Sequence, residues 1–199
     1  MNIYSPYRTI TREQFLFHEM RIVAKLILQG LEDKEIIDRI VKENLFQYPT
    51  ERSLRNIARV CLARFRQTDS LALTNLVANG SSTAAKQACL FLMMNYYRIV
   101  WEFMIQVIGQ KYILKDNSLT KMDLNSFFSS LQAQNETVAS WSDTTIRKCK
   151  QVIKSVLIEN GYLDHSRSEV LNPVLLDLNV KEAIENLGMK ETLCAFNRL

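Results

Sequence analysis

Five glycines and three prolines in 199 residues leave this chain few places to turn. A sheet-rich fold reverses direction every few residues and needs turn chemistry at each reversal, so the scarcity points to long helices. The apolar pattern agrees. Phe15, Ile22, Val23, Leu26 and Ile27 recur at helical spacing. So do Leu54, Ile57, Ala58, Cys61, Leu62 and Phe65, and again Ile146, Cys149, Ile153, Val156 and Leu157. With 47% hydrophobic and 23% charged residues the composition is that of a folded globular protein. The expected fold class is all-α, a helical bundle of one domain or two small ones.

Start and stop signals divide the chain. A first helix is expected from Thr11, with Gln14 as its capping-box partner, to Gly30. A second covers 32–44 and buries Ile36, Ile37, Ile40 and Val41. A turn over 45–49 follows, and Thr50 caps a third helix that runs to about Arg66. Residues 79–82, Asn-Gly-Ser-Ser, form a break, after which one long helix or two stacked ones run over 83–112. Helices are also expected over 121–134, over 143–160 between a Ser142 cap and Gly161, and over 180–187. Residues 162–176 alternate apolar and polar side chains around Pro173, a pattern compatible with a short hairpin. The stretch 115–120 is the expected boundary, giving an N-terminal subdomain 1–117 and a C-terminal subdomain 118–199.

Motifs of catalysis are missing. The two histidines, His18 and His165, belong to no HExxH spacing and to no Cys/His cluster, so both read as structural or surface residues rather than metal ligands. The chain contains no GxxxxGK[ST], GxGxxG or GxSxG run, so no cofactor is expected, and a non-enzymatic protein is the expectation. Glu32, Asp33 and Glu35 sit at a helix start, where they complement the helix dipole. Cys61, Cys89, Cys149 and Cys194 form no CxxC pair, and residues 1–12 hold no apolar stretch of leader length; both features fit a reducing, cytoplasmic setting. The apolar region 84–109 is interrupted by Lys86, Asn95, Arg98 and Glu102, so it reads as a buried core helix rather than a membrane span.

Charge distribution carries the functional signal. The net charge is only +4, but residues 1–68 hold 12 Lys/Arg against 8 Asp/Glu, whereas residues 161–199 hold 4 against 6. On the third helix Arg52, Arg55, Arg59 and Arg66 fall at i, i+3, i+7 and i+14 and share a face, with Arg64 nearby. The guanidinium fork matches phosphate oxygens and guanine edges. A short helix, a turn and this basic helix give a helix-turn-helix outline. On the helix over 143–160, Arg147, Lys150 and Lys154 repeat the arrangement opposite the core face, with Lys148 close by. With the hairpin expected after it, that helix stands in the order of a winged helix. These nine residues are the candidate DNA contacts, against the simpler alternative of solvated basic faces paired with carboxylates elsewhere.

Several separated segments also resemble one family. The run from Arg12 to Arg21 (REQFLFHEMR), the run from Leu45 to Ser53 (LFQYPTERS), Ala139-Ser140-Trp141-Ser142-Asp143 and Leu171-Asn172-Pro173-Val174-Leu175-Leu176 resemble the BrxA family of the BREX (bacteriophage exclusion) defence systems. The resemblance spans the chain from about Arg12 to Phe196. It implies a cytoplasmic, all-helical protein with a core like that of the NusB antitermination factors. It further implies double-stranded DNA binding, and work beside a methyltransferase, ATPases and other BREX components. It supplies no catalytic motif. Two alternatives stay open: a protein–protein adaptor within that complex, and an RNA binder of NusB type.

Overall fold

A computed structural model describes residues 6–12 and 14–196. Eleven α-helices, one π-helical turn and one 3-10 turn account for its regular structure, and no strand forms among the described residues. The all-α expectation holds. Two compact units emerge. One comprises residues 15–96 with 177–183; the other comprises the described part of 1–14 together with 97–176 and 184–196.

The first unit begins with α1 (Phe17–Leu28), five to six residues later than the capping signal predicts. The reason is Leu16, whose backbone is left-handed (φ 60°) and cannot continue a helix from Thr11. Glu13, part of the run that resembles the BrxA family, lies outside the described residues. Helix α2 (Asp33–Glu43) opens with a reciprocal capping box of Glu32 and Glu35, and its backbone leaves the helix at left-handed Asn44. Ile36 and Ile40 are fully buried, whereas Ile37 and Val41 are half-buried at the flank of the stripe. Helix α3 (Glu51–Thr68) is capped as expected, the Thr50 side chain accepting from the Ser53 amide at 3.3 Å. Helix α4 (Leu71–Asn79) has no counterpart in the sequence reading, although Ser70 caps it in the same way. Helix α5 (Ser82–Tyr96) is buried on nearly all sides from Gln87 to Asn95, which is why its residues are apolar without amphipathic period. No helix among the described residues is long and apolar enough to cross a membrane.

The long helical stretch expected over 83–112 stops at Tyr97, which is extended (φ −111°), and the second unit starts there. Helix α6 (Arg98–Phe103) runs through a π-helical turn (Met104–Gly109) into α7 (Gln110–Leu114). Gly109 sits against the 3-10 turn Lys190–Ala195, where a methyl group would lie 2.7 Å from Cys194 Sγ. The described N-terminal segment is held to α6 by Tyr7. Its hydroxyl donates to Glu102 at 2.7 Å, and Arg98 stands 4.4 Å from its ring centre. Burial and the adjacent Glu102 carboxylate push the Tyr7 phenol up to about 12.

Residues 115–120, the expected boundary between 1–117 and 118–199, lie within the second unit. Lys111, only 9% exposed, donates from Nζ to Asp116 (2.8 Å) and lies 3.0 Å from Asp123. Backbone bonds tie Leu119 N to Glu169 O and Leu171 N to Asn117 O, both at 2.8 Å. These bonds also replace the expected hairpin over 162–176. That segment pairs with 117–119 through a single antiparallel bridge, Ser118 with Val170, instead of folding on itself. Its apolar residues Tyr162, Leu163, Leu171 and Val174 go into the core, so the helix order lacks the wing of a winged helix. Helix α8 (Lys121–Gln134) matches its predicted span and is capped by Thr120 with Asp123. A short α9 (Glu136–Ala139) leads to α10 (Asp143–Glu159), capped by Ser142 and followed by Gly161 at φ +79°. Helix α11 (Leu178–Asn186) completes the order.

Candidate functional site

The nine predicted contacts separate by environment. In the first unit, α3 buries Leu54, Ala58, Cys61, Leu62 and Phe65. Arg64 is buried with them, at 0% exposure, and donates from Nη1 to the Phe15 carbonyl at 2.8 Å. Its inclusion among surface DNA contacts is therefore corrected. On a 100° helical wheel Arg64 falls roughly 150° from the other four arginines, beside Cys61, so the spacing itself carried the signal. Arg55 and Arg66 are exposed in part but engaged by α2. Arg55 reaches Asp38 at 3.3 Å, and Arg66 donates from Nε and Nη2 to Asp33 at 3.0 and 2.6 Å. The hydrogen bond to Asp33 raises the Arg66 pKa further. Arg52 and Arg59 are exposed and make no salt bridge among the described residues. The basic stripe of α3 is thus partly an α2–α3 clasp.

In the second unit, Ile146, Cys149, Ile153, Val156 and Leu157 are all buried, as their period predicts. Arg147, Lys150 and Lys154 flank that face rather than oppose it, being centred roughly 115° round the helix from it. They line one side of a groove of about 730 Å³ that α8 borders with Lys121, Leu124 and Asn125. Lys150 is half-buried: Nζ donates to Asn125 Oδ1 at 2.8 Å and stands 5.3 Å from the Phe128 ring centre. Burial lowers its pKa. Lys154 donates to the Ser166 carbonyl at 3.2 Å. Arg147 and Lys148 are exposed, and Lys148 does not line the groove. Sequence reasoning missed Lys121, Asn125 and Ser155 here. The last falls eight residues, just over two turns, after Arg147 and was legible only as part of that stripe.

The remaining reactive groups are quiet. His18 and His165 are exposed, and His165 Nδ1 accepts from the Arg167 amide at 3.2 Å. Cys61, Cys89 and Cys149 are buried, and burial pushes the thiols of Cys89 and Cys149 up. Among the described residues no three His, Cys, Asp or Glu side chains gather as a metal site.

The fold defines a class: an all-helical protein of two units interleaved along the sequence, with basic residues exposed on α3 and α10. The BrxA family profile matches residues 5–188, and the chain belongs to the BrxA family of BREX phage-defence proteins. It is 36% identical over 182 residues to the BREX protein BrxA of Bacillus cereus (strain H3081.97), covering 90% of each chain. To the BREX protein BrxA of Escherichia coli O9:H4 (strain HS) it is 25% identical, over 88% of this chain and 82% of that one. A crystal structure of an uncharacterized protein from Magnetospirillum magneticum superposes with a TM-score of 0.83 at 20% identity. That match covers 98% of this chain and 100% of the other, a likeness of fold.

Proposed function

We propose that the protein is a non-enzymatic accessory of its BREX system that binds double-stranded DNA through phosphate contacts, with little sequence preference. One observation carries the reading: four cations, Arg52 and Arg59 on α3 and Arg147 and Lys148 on α10, stand exposed on helix faces. Open cations gain most from a phosphate backbone because they release its condensed counterions, while clasped ones must first give up Asp33 or Asp38. Phosphate contacts position a protein on duplex DNA without reading its sequence, hence the weak preference. The setting is the cytoplasm, beside the system's methyltransferase and ATPase.

The test is binding of the purified protein to random-sequence duplex DNA across a salt series, with no other component present. Affinity should fall steeply with salt. Replacing Arg52 and Arg59 by Ala, or Arg147 and Lys148 by Ala, should reduce the slope of log K against log salt by about one per lost contact. No binding at low salt by folded protein, or binding indifferent to salt, refutes the reading. Preference for structured RNA over duplex DNA in competition refutes the choice of nucleic acid.

A further inference from the structure

The α8–α10 groove is poorly suited to a phosphate backbone. Its floor is carbon: Leu124, Ile146 and Ile158, extended by the methylene stems of the lysines above them. A duplex offers phosphates and sugars, with no apolar face to cover that floor. The rim, by contrast, is strongly biased, with Lys121, Arg147, Lys150 and Lys154 against the single carboxylate of Asp143. Two of those cations are held by hydrogen bonds to other lining residues, Lys150 to Asn125 and Lys154 to the Ser166 carbonyl. The groove follows α10 from Asp143 to Ile158, about 22 Å or four helical turns at 1.5 Å per residue.

We propose that this groove docks an acidic, amphipathic helix of a partner protein, about 15 residues long, with its apolar stripe on the carbon floor and its carboxylates among the lysines. Grooves between helices take such segments through anchors at i, i+3, i+4 and i+7. Charge complementarity sets the orientation and suppresses basic competitors. The occupant goes beyond the DNA reading, which shares only Arg147 with the groove. Ser155, exposed toward the Ile158 end of the groove, is small enough to leave the space open.

The experiment uses the full chain and two fluorescein-labelled 15-residue helical peptides. One has a leucine stripe flanked by glutamates; the other is identical except for lysine in place of each glutamate. Fluorescence anisotropy at moderate salt should show saturable binding of the acidic peptide only. Ser155→Trp, which fills the groove, and Ser155→Glu, which repels the peptide, should each weaken it by about tenfold or more, equivalent to about 1.4 kcal/mol. Both variants should bind duplex DNA like the parent, and their circular dichroism should be unchanged. Failure of the acidic peptide to bind, equal binding of both peptides, or indifference to both substitutions overturns the proposal. Parallel loss of DNA binding in the Ser155 variants overturns it as well, because the groove would then be a nucleic-acid surface.

Discussion

Arg64 offers a sharp separation of structural from binding roles among the arginines of α3. Arg64→Ala removes a fully buried side chain and the donor to the Phe15 carbonyl. Two methylenes beyond the retained Cβ, at about 0.8 kcal/mol each, give about 1.6 kcal/mol of lost burial. A buried carbonyl left without its donor costs a further ~1–3 kcal/mol. Relief from burying a guanidinium offsets part of this, so the expected loss is about 2–4 kcal/mol. For a chain of this size that corresponds to a fall in melting temperature of roughly 4–16 °C. Arg64→Met restores the carbon but not the donor, and should recover about half. Thermal denaturation measures the loss, and DNA affinity per folded molecule, measured well below the transition, should be unchanged. Arg52→Ala with Arg59→Ala should do the reverse, weakening DNA binding while leaving melting within a degree or two. A stable Arg64→Ala protein with weakened DNA binding would place the guanidinium on the surface and refute the reasoning.

Two further outcomes follow from the second unit. Burial pulls the Lys111 ammonium pKa down, yet its hydrogen bonds to Asp116 and Asp123 outweigh this and the net shift is up; the Asp116 and Asp123 carboxyls are held below 3.8. A raised cation stabilises below its unfolded value of 10.5, and depressed carboxyls stabilise above 3.8, so the melting gap between parent and Lys111→Met should be flat from about pH 5 to 10 and close at both extremes. A gap that widens in acid would contradict the cluster. Gly109→Ala puts a methyl 2.7 Å from Cys194 Sγ and should cost about 1–3 kcal/mol by overpacking, partly rescued by Cys194→Ala. Full stability of the single variant in urea denaturation would show that the 3-10 turn yields freely.

What was legible in the sequence is what local chemistry decides. The starts of α3 and α10 follow from Thr50 and Ser142, whose side chains accept the expected amides, and α8 runs over its predicted span. Where a tertiary contact overrode the local signal, reading failed. Thr11 and Gln14 spell a capping box, but Leu16 is left-handed and the helix starts only at Phe17. The alternation of 162–176 is real, yet it reports burial of Tyr162 and Leu171 beside 117–119, not a hairpin. The arginine stripe was readable as a pattern; its partners were not, because Asp33 and Asp38 lie on another helix at no fixed sequence distance. The groove required two helices at once, and only its α10 side had a period to find.

The interleaving of the two units bears on how this protein can be made and dissected. The chain passes between them at 14/15, 96/97, 176/177 and 183/184, so neither unit is a contiguous stretch. On the ribosome, residues 15–96 emerge first but lack 177–183, and Gln87 waits for the Asp177 amide that it accepts at 2.8 Å in the finished fold. Final closure of both units therefore belongs to the last stage of synthesis. A premature stop before residue 177 leaves the first unit without 177–183 and the second without 184–196, so no truncation there yields either unit whole.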